Sequence, residues 1–359
     1  MPLRIKPFMF SYAGNIHIHT LYSDGSASVG EIAAAAASAG LSYVIITDHQ
    51  TLAALPEEGY YGDVALLVGA ELNRNCNHYL ALGLLVLLPE NETDPQEMID
   101  QVRAQGALGF IAHPFEKGSP LIENGKAYPW TVWPVFDFTG LEIWNYTSHW
   151  RGRARTIART LFWFLFNRRA AMDGPPAEAL RLWDCYIQSG RRTVGIGGTD
   201  AHAFKKRLLG LIDVDIFPYR FLFKTINTYI CLREPLSRDF AVAKRQIYGA
   251  LGEGRCYISF DQLYPGKGFS YYCRCAGAPE LLLMGEQLPY RRGLELQVKA
   301  PTSRSRIRII HHGRLIAQAD GAEMLFSPPS PGGYRVEVYY RPRLGRPRPW
   351  IISNPIYLT

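Results

Sequence analysis

His17 and His19 stand one residue apart in Asn15-Ile16-His17-Ile18-His19. On an extended segment, side chains two apart share a face, so both imidazoles can converge on one ion. With 9 histidines in 359 residues, such a pair arises by chance on the order of 0.2 times per chain, so alone it decides nothing. It has company: Asp24 in a Ser-Asp-Gly turn, Asp48-His49, Glu71, His113, Glu142 with His149 beyond it, and Asp200 and His202 in Gly-Gly-Thr-Asp-Ala-His. Taken singly, each is an ordinary polar loop residue. Taken together, they form a mixed imidazole and carboxylate set of the kind that suits Zn²⁺, Mn²⁺ or Fe²⁺. Bridged divalent ions lower the pKa of a shared water so that hydroxide exists near neutral pH. They also hold a substrate's oxygens as negative charge develops.

The elements that would position these residues follow from periodicity. Residues 15–19 alternate as a short strand, a turn over 23–26 follows, and the alanine-rich stretch 29–39 reads as a helix closed by Gly40. The continuous apolar run 43–47 (YVIIT) suits a strand buried on both faces. The spacing then predicts strands over 64–69 and 80–87, a helix over 95–105, and strands over 108–112 and 141–144. A helix over 176–189 and a strand over 193–196 complete the series. Such alternation implies an α/β fold with a mainly parallel sheet, closed as a barrel. Every acid and imidazole named above lies on a predicted strand, at its C-terminal end or just beyond it. In a parallel barrel those ends meet on one face. Seven of the 9 histidines fall in this region.

After about residue 260 the pattern changes to short alternating runs at 271–275, 294–298, 306–310, 334–340 and 351–358, separated by Gly/Pro/Ser turns. That predicts an all-β sandwich. The boundary is placed in Tyr264-Pro265-Gly266-Lys267-Gly268, giving a barrel over 1–263 and a sandwich over 264–359. Composition excludes disorder, with 47% hydrophobic residues against 20% charged. The formal charge of +7 is compatible with anionic ligands and demonstrates none. The 6 cysteines form no CxxC pair and show no disulfide framework, which points to a reducing compartment. Cys273 and Cys275, two apart, would share a strand face. The first twenty residues lack the apolar core of a signal peptide. The longest apolar runs, 79–88 and 157–166, are about half the length of a membrane span. A cytoplasmic protein with no membrane span is expected.

The order His17, His19, Asp24, then Thr47-Asp48-His49, a lone Glu71, His113-Pro114, and Gly198-Thr199-Asp200-Ala201-His202 resembles the PHP family, the polymerase and histidinol phosphatase superfamily of metal-dependent phosphoesterases. The resemblance covers roughly residues 10–260. It implies a distorted (β/α)7 TIM-like barrel with two or three divalent ions (Zn, Mn or Fe) at the strand ends. It also implies hydrolysis of a phosphate ester of a small molecule or nucleotide. By matching positions, His17, His19 and Asp200 would hold a first metal and Glu71 would bridge to a second. His113 and a further imidazole would complete the second. In the family that imidazole follows a Glu-Ile-x-Asn segment, here Glu142–Asn145 followed by His149, with His78 as the rival. Asp24, His49 and His202 would hold a third metal. Glu71, Asp200 and His202 carry the catalytic role in this assignment, and Asp48 supports rather than ligates. The C-terminal β region looks like the two-domain branch that includes carbaryl-hydrolase-like metallohydrolases.

That branch motivates a second expectation, hydrolysis of a carboxylic, carbamate or amide bond, which Trp130, Trp133, Trp144 and Trp150 would favour by lining an apolar cavity. A non-catalytic metal-binding module is the third. The segment 151–169 (RGRARTIARTLFWFLFNRR) carries six arginines around an apolar stripe. It reads as a barrel helix or lid with solvated or paired arginines, ahead of membrane or nucleic-acid contact. Within it, Arg151 or Arg153 could reach a phosphate oxygen. His311-His312-Gly313 marks a hairpin turn, and the basic, Pro-rich stretch 341–348 a solvated loop. A small-molecule ester is the expected partner, with no stable nucleic-acid complex. There is no GxSxG elbow or Walker motif.

Overall fold

In the computed structural model, which describes residues 9–208, 212–275 and 281–359, strand β1 (Phe10–Ile16) precedes helix α1 (Val29–Ala39). The flanks of α1 explain its bounds. Ser28 accepts from the Glu31 amide while the Glu31 carboxylate takes the Ser28 amide, and Gly40 closes the helix at φ 78. There follow β2 (Tyr43–Ile46), β3 (Gly59–Tyr61), β4 (Val64–Leu72), β5 (Tyr79–Leu82), α2 (Pro95–Ala104), β6 (Leu108–Ile111), β7 (Gly140–Asn145), α3 (Tyr146–Arg153), α4 (Ile157–Phe166), α5 (Ala177–Gln188) and β8 (Val194–Gly198). A hairpin of β9 (Phe204–Leu208) and β10 (Ile212–Ile216) leads to the single turn α6 (Tyr219–Leu222). Then β11 (Ile226–Leu232), α7 (Phe240–Gly252) and β12 (Cys256–Phe260) add a strand–helix–strand unit to what the sequence predicts.

The result is a mixed α/β fold around a central sheet. Its strands β1, β2 and β4 run parallel, as do β6, β7 and β8. Between them β5 runs antiparallel to both β4 and β6, which corrects the expectation of a mainly parallel run there. The cause is local: the link from Leu72 to Tyr79 is a short loop, and a parallel crossover needs a dozen residues or more. β4 is buried along its whole length, Val64–Leu72, as expected of a strand covered on both faces. The far strand β8 returns towards β1 and β11. The Gly197 amide donates to Thr228 Oγ1 at 2.9 Å, the Thr228 hydroxyl donates to the Gly197 carbonyl at 2.7 Å, and Ile18 bridges Ala201. The sheet is thereby rolled, and the C-terminal ends of β1, β2, β4 and β8 face one mouth.

A second, all-β region carries β13 (Ser270–Cys275), β14 (Leu282–Leu283), β15 (Gln287–Leu288), β16 (Leu294–Lys299), β17 (Ser305–His311), β18 (Arg314–Asp320), β19 (Glu323–Phe326), β20 (Gly332–Tyr340), β21 (Arg348–Ser353) and β22 (Ile356–Leu358). The side chain of Cys275 lies outside the described residues. One four-stranded sheet runs β14-β13-β16-β19, while β21 pairs with β12, so the central sheet continues into this region. Tyr271, Leu296, Ile309, Val336 and Trp350 form a buried cluster there. His312 and Gly313, at φ 48 and 69, make the two-residue hairpin turn between β17 and β18 that the sequence marks.

Asp184 on α5 ties the two regions together. Its carboxylate accepts from Arg335 Nε at 2.7 Å and Nη2 at 2.8 Å, and Arg335 Nη1 donates to Glu337 at 2.8 Å. Arg335 is buried, and these carboxylates outweigh burial to keep its guanidinium charged. Asp184→Ala leaves a buried cation with half its partners. A loss of about 3 kcal/mol of stability is expected, read by urea unfolding. An unchanged midpoint would mean that the pair is structurally idle.

Candidate metal centre

β1 ends at Ile16, and His17 turns into the left-handed region at φ 73, as do His113 at φ 25 and Asp200 at φ 52. For non-glycine residues each such conformation costs on the order of 1 kcal/mol or more and persists where the surroundings impose it, typically at functional sites. The surroundings are specific. Asp48, just after β2, accepts from the Thr20 amide and the Thr20 hydroxyl, both at 2.7 Å, and from the Ser23 hydroxyl at 2.5 Å. It thus holds the turn that presents Asp24, the supporting role expected of it. Gly198 is required by contact: a Cβ there would stand 2.3 Å from Glu142 Oε1 and 2.6 Å from the Ile16 carbonyl. The space it leaves lets Glu142 on β7 reach His17 Nδ1 at 3.1 Å, while the same carboxylate accepts from the His113 amide and Asn145. Glu142 fixes the ring orientation of His17 and leaves its Nε2 facing the mouth.

Glu71, buried to 1% exposure, is the centre of the arrangement. Its Oε2 lies 3.0 Å from His17 Nε2, 3.2 Å from His19 Nε2 and 3.3 Å from His49 Nδ1. Its Oε1 lies 2.7 Å from His78 Nδ1 and 3.3 Å from His113 Nε2. Asp200 Oδ1 faces His17 Nε2 at 3.4 Å and His19 Nε2 at 3.2 Å, and Asp24 Oδ1 faces His202 Nε2 at 3.2 Å. Five imidazoles crowd one carboxylate, more than its lone pairs can serve with good geometry. Accordingly His17 Nε2, both His19 ring nitrogens, His49 Nδ1, Glu71 Oε2, His78 Nε2 and His113 Nδ1 are buried without a hydrogen-bond partner. So many unsatisfied buried atoms in one place are intolerable in an ordinary core; divalent cations would satisfy them. Among the described residues, three groups offer ligand atoms within 4.8 Å of one another: His17, His19, Glu71 and Asp200; His19, Asp24, His49 and His202; and His49, Glu71 and His78.

The electrostatics agree. Burial alone would push the His19 ring down, but Asp200 and Glu71 outweigh it and hold the ring up to about 10. For His113, burial is likewise outweighed by Glu71 and Glu116, and the ring is held up to about 9. His49 is instead held down to about 3 by burial, with Glu71 only partly opposing. Glu71 itself stays well below the usual carboxylate range: burial opposes ionisation, and His17, His78 and His49 override it. The cluster therefore demands positive charge, supplied by protons when no cation is bound. At His17, too, burial is outweighed by Glu71, Glu142 and Asp200, which hold its ring well above the usual range. Metal loading must expel the protons of His17, His19 and His113, so affinity should weaken as pH falls. For three displaced protons the expected loss is roughly a thousandfold per pH unit between pH 8 and 6. Titration calorimetry in buffers of different ionisation enthalpy checks this, and a pH-independent affinity would refute it.

The structure gathers eight of the expected ligands, His17, His19, Asp24, His49, Glu71, His113, Asp200 and His202, around one mouth. It does not bring His149 there. His149 Nε2 pairs with Asp173 Oδ1 at 2.9 Å, in a neighbouring hollow, with Arg153 on the other Asp173 oxygen at 2.9 Å. His78 occupies the position against Glu71 instead. Arg151 lines the cavity over the centre, a space of about 510 Å³ that also touches Arg74, Tyr128 and Phe204. Its Nη1 meets Glu116 at 3.0 Å and its Nη2 meets Glu123 at 2.8 Å. Trp130, Trp144 and Trp150 are buried in the core and Trp133 packs against it; none lines this cavity. Sequence reasoning missed Glu116, which faces His113 Nδ1 at 3.4 Å and accepts from the Ser148 hydroxyl. It also missed the orienting part played by Glu142. The signals were an acid three residues past His113 and an acid inside the apolar strand of β7.

Residues 15–120 match the family model described as the PHP domain. A curated relative, uncharacterized protein MJ1587 of Methanocaldococcus jannaschii, is 28% identical over 159 residues, which cover 40% of this chain and 87% of the relative. A crystal structure of a two-domain protein from Bacteroides vulgatus, named as containing a predicted PHP-like metal-dependent phosphoesterase, is 14% identical. It aligns with 96% of this chain and 95% of its own at a TM-score of 0.45.

Proposed function

We propose, from the PHP domain that residues 15–120 form, that this chain is a metal-dependent hydrolase whose substrate is a phosphate ester of a small molecule or nucleotide. The observation that carries the reading is the convergence of five imidazoles on buried Glu71, each with at least one buried ring nitrogen lacking a hydrogen-bond partner. His17, His19 and Asp200 would hold one ion and His78 and His113 another, with Glu71 shared by both. Asp24, His49 and His202 would hold a third. Bound divalent ions there supply Lewis acidity and lower the pKa of water that they hold. The chain's own residues do the rest. Glu142 keeps His17 in one orientation, and Glu116 holds both His113 and Arg151. The guanidinium of Arg151, stacked over Tyr128, stands on the cavity wall where a phosphate oxygen would lie.

Arg74 and Arg151 on the wall favour phosphate over an apolar carboxyl ester, and the tryptophans that would have favoured the latter are in the core. We read the rolled sheet as a distorted (β/α)7 barrel, with residues 1–263 as the catalytic unit and 264–359 as an accessory β-sandwich. No stable nucleic-acid complex is part of this reading. Among the described residues, no helix is long and apolar enough to cross a membrane. The test is turnover of a phosphate-ester panel by the chain loaded with Mn²⁺ or Zn²⁺, with carboxyl and carbamate esters run alongside. Hydrolysis of phosphate esters that is lost on chelation and restored by metal is expected. Turnover of carboxyl esters alone would transfer the reading to them, and none with two equivalents of metal bound would end it.

A further inference from the structure

Helix α4 has an unusual exposure pattern. Of its ten residues only Trp163 is buried, while Ile157 is 66% exposed, Leu161 52%, Phe162 54%, Leu165 63% and Phe166 77%. At 100° per residue these five, with Ala158 among them, sweep one continuous arc of about half the helix circumference. The opposite side, Trp163 with partly buried Thr160 and Phe164, is the one seated on the protein. The face turned to solvent is thus the apolar one.

The second observation lies about 180 residues away. The stretch 341–348 is a loop whose apical Leu344 is 91% exposed. It shares one groove with the C-terminal end of the α4 segment: Asn167 and Arg169 line it together with Arg304, Arg343, Leu344 and Arg346. Arg348 donates to the carbonyls of Arg169 and Met172 and fastens the two segments. Among the described residues, no carboxylate pairs with Arg155, Arg159, Arg169, Arg304, Arg343 or Arg346, and all six are exposed. Two separate stretches of sequence thus each present apolar tips among unpaired guanidinium groups, and the fold sets them side by side.

We propose that α4 and the 341–348 loop form a docking surface for an anionic lipid bilayer, with Leu161, Phe162, Leu165, Phe166 and Leu344 entering the headgroup region and the surrounding arginines meeting lipid phosphates. Charge complementarity chooses this occupant. A two-fold contact with a second copy would set arginines against arginines, and nucleic acid would leave the apolar arc uncovered. Apolar side chains flanked by arginine are the composition of helices that lie in a membrane interface. The inference is independent of the reaction proposed above, and the helix contributes no ligand to the metal centre.

The experiment is co-sedimentation of the metal-loaded chain with vesicles of phosphatidylcholine alone and of phosphatidylcholine mixed equally with phosphatidylglycerol. Binding to the anionic vesicles only, weakening with salt, is expected. The double variant Phe162→Ser/Phe166→Ser and the variant Arg343→Glu/Arg346→Glu should each lower the partition coefficient by about tenfold or more. Because all four side chains are exposed, thermal melting and metal content should stay at the parent values. Equal sedimentation of parent and both variants, or none with anionic vesicles, overturns the proposal. So does a dimer seen by analytical ultracentrifugation that Phe162→Ser/Phe166→Ser abolishes without affecting vesicle binding.

Discussion

Glu71→Gln is expected to abolish hydrolysis and to remove at least one equivalent of bound metal while leaving the fold in place. The amide has nearly the shape of the carboxylate, so packing around β4 is undisturbed, and the change is one of charge and donor pattern. In the parent chain Oε2 faces His17, His19 and His49, and Oε1 faces His78 and His113. The amide carries no charge, and its NH2 has no lone pair for a cation. In the proposed arrangement, two ions sharing this carboxylate would lose their common ligand and repel each other with less between them. Metal pairing of this kind supplies several kcal/mol of transition-state stabilisation. At a tenfold rate per 1.36 kcal/mol, the loss should be on the order of a thousandfold or more. Metal content by elemental analysis, kcat on the best phosphate ester and thermal melting should be read together. Activity within tenfold of the parent with unchanged metal content would show that Glu71 does not bridge ions. Glu71→Asp, which keeps the charge but shortens the reach, should retain more metal than Glu71→Gln.

Which parts of this site are legible in sequence follows from what periodicity can encode. Asp48 with His49 and Asp200 with His202 each stand beside a short apolar run, and His17 with His19 lie in an alternating one; such patterns identify strands and therefore strand ends. The rule that the C-terminal ends gather is sound for β1, β2, β4, β6 and β8. It fails at β5, because an apolar run carries no mark of direction. The loop between Leu72 and Tyr79 makes β5 antiparallel, so the start of this strand, and not its end, lies beside the mouth. His78 reaches Glu71 for that reason. The part played by Glu142 was hidden similarly. Its strand is evident from the alternation around Leu141 and Ile143, but the space that admits its carboxylate depends on Gly198 more than fifty residues later. Long-range pairing such as β12 with β21, which carries the central sheet into the C-terminal region, leaves no local trace at all. The arginine-rich segment was left open for an opposite reason: its apolar stripe has the period of a core-facing helix, and only the tertiary structure shows that stripe turned outward.

The sharpest separation of geometry from sequence pattern comes from the two histidines that compete for one position. His78→Ala is expected to lower kcat by a hundredfold or more, at least about 3 kcal/mol, and to release metal, whereas His149→Ala should stay within about fivefold of the parent. His78 is 4% exposed, its Nδ1 stands 2.7 Å from Glu71 Oε1 and its Nε2 has no partner. It packs edge-on to His113 and His49, with ring centroids at 5.2 and 5.5 Å. Removing it empties one side of the Glu71 carboxylate, and no neighbouring imidazole can swing in, since each already faces Glu71 or Asp200. His149 is different in kind. Its partner Asp173 is 53% exposed at the side chain and also pairs with Arg153. Such a solvent-facing contact contributes less than about 1 kcal/mol, and its loss leaves Asp173 still paired. Equal damage from both substitutions, or greater damage from His149→Ala, would mean that the chain closes over its substrate in an arrangement that brings α3 to the metals, and the ligand set would have to be redrawn around Asn145 and His149.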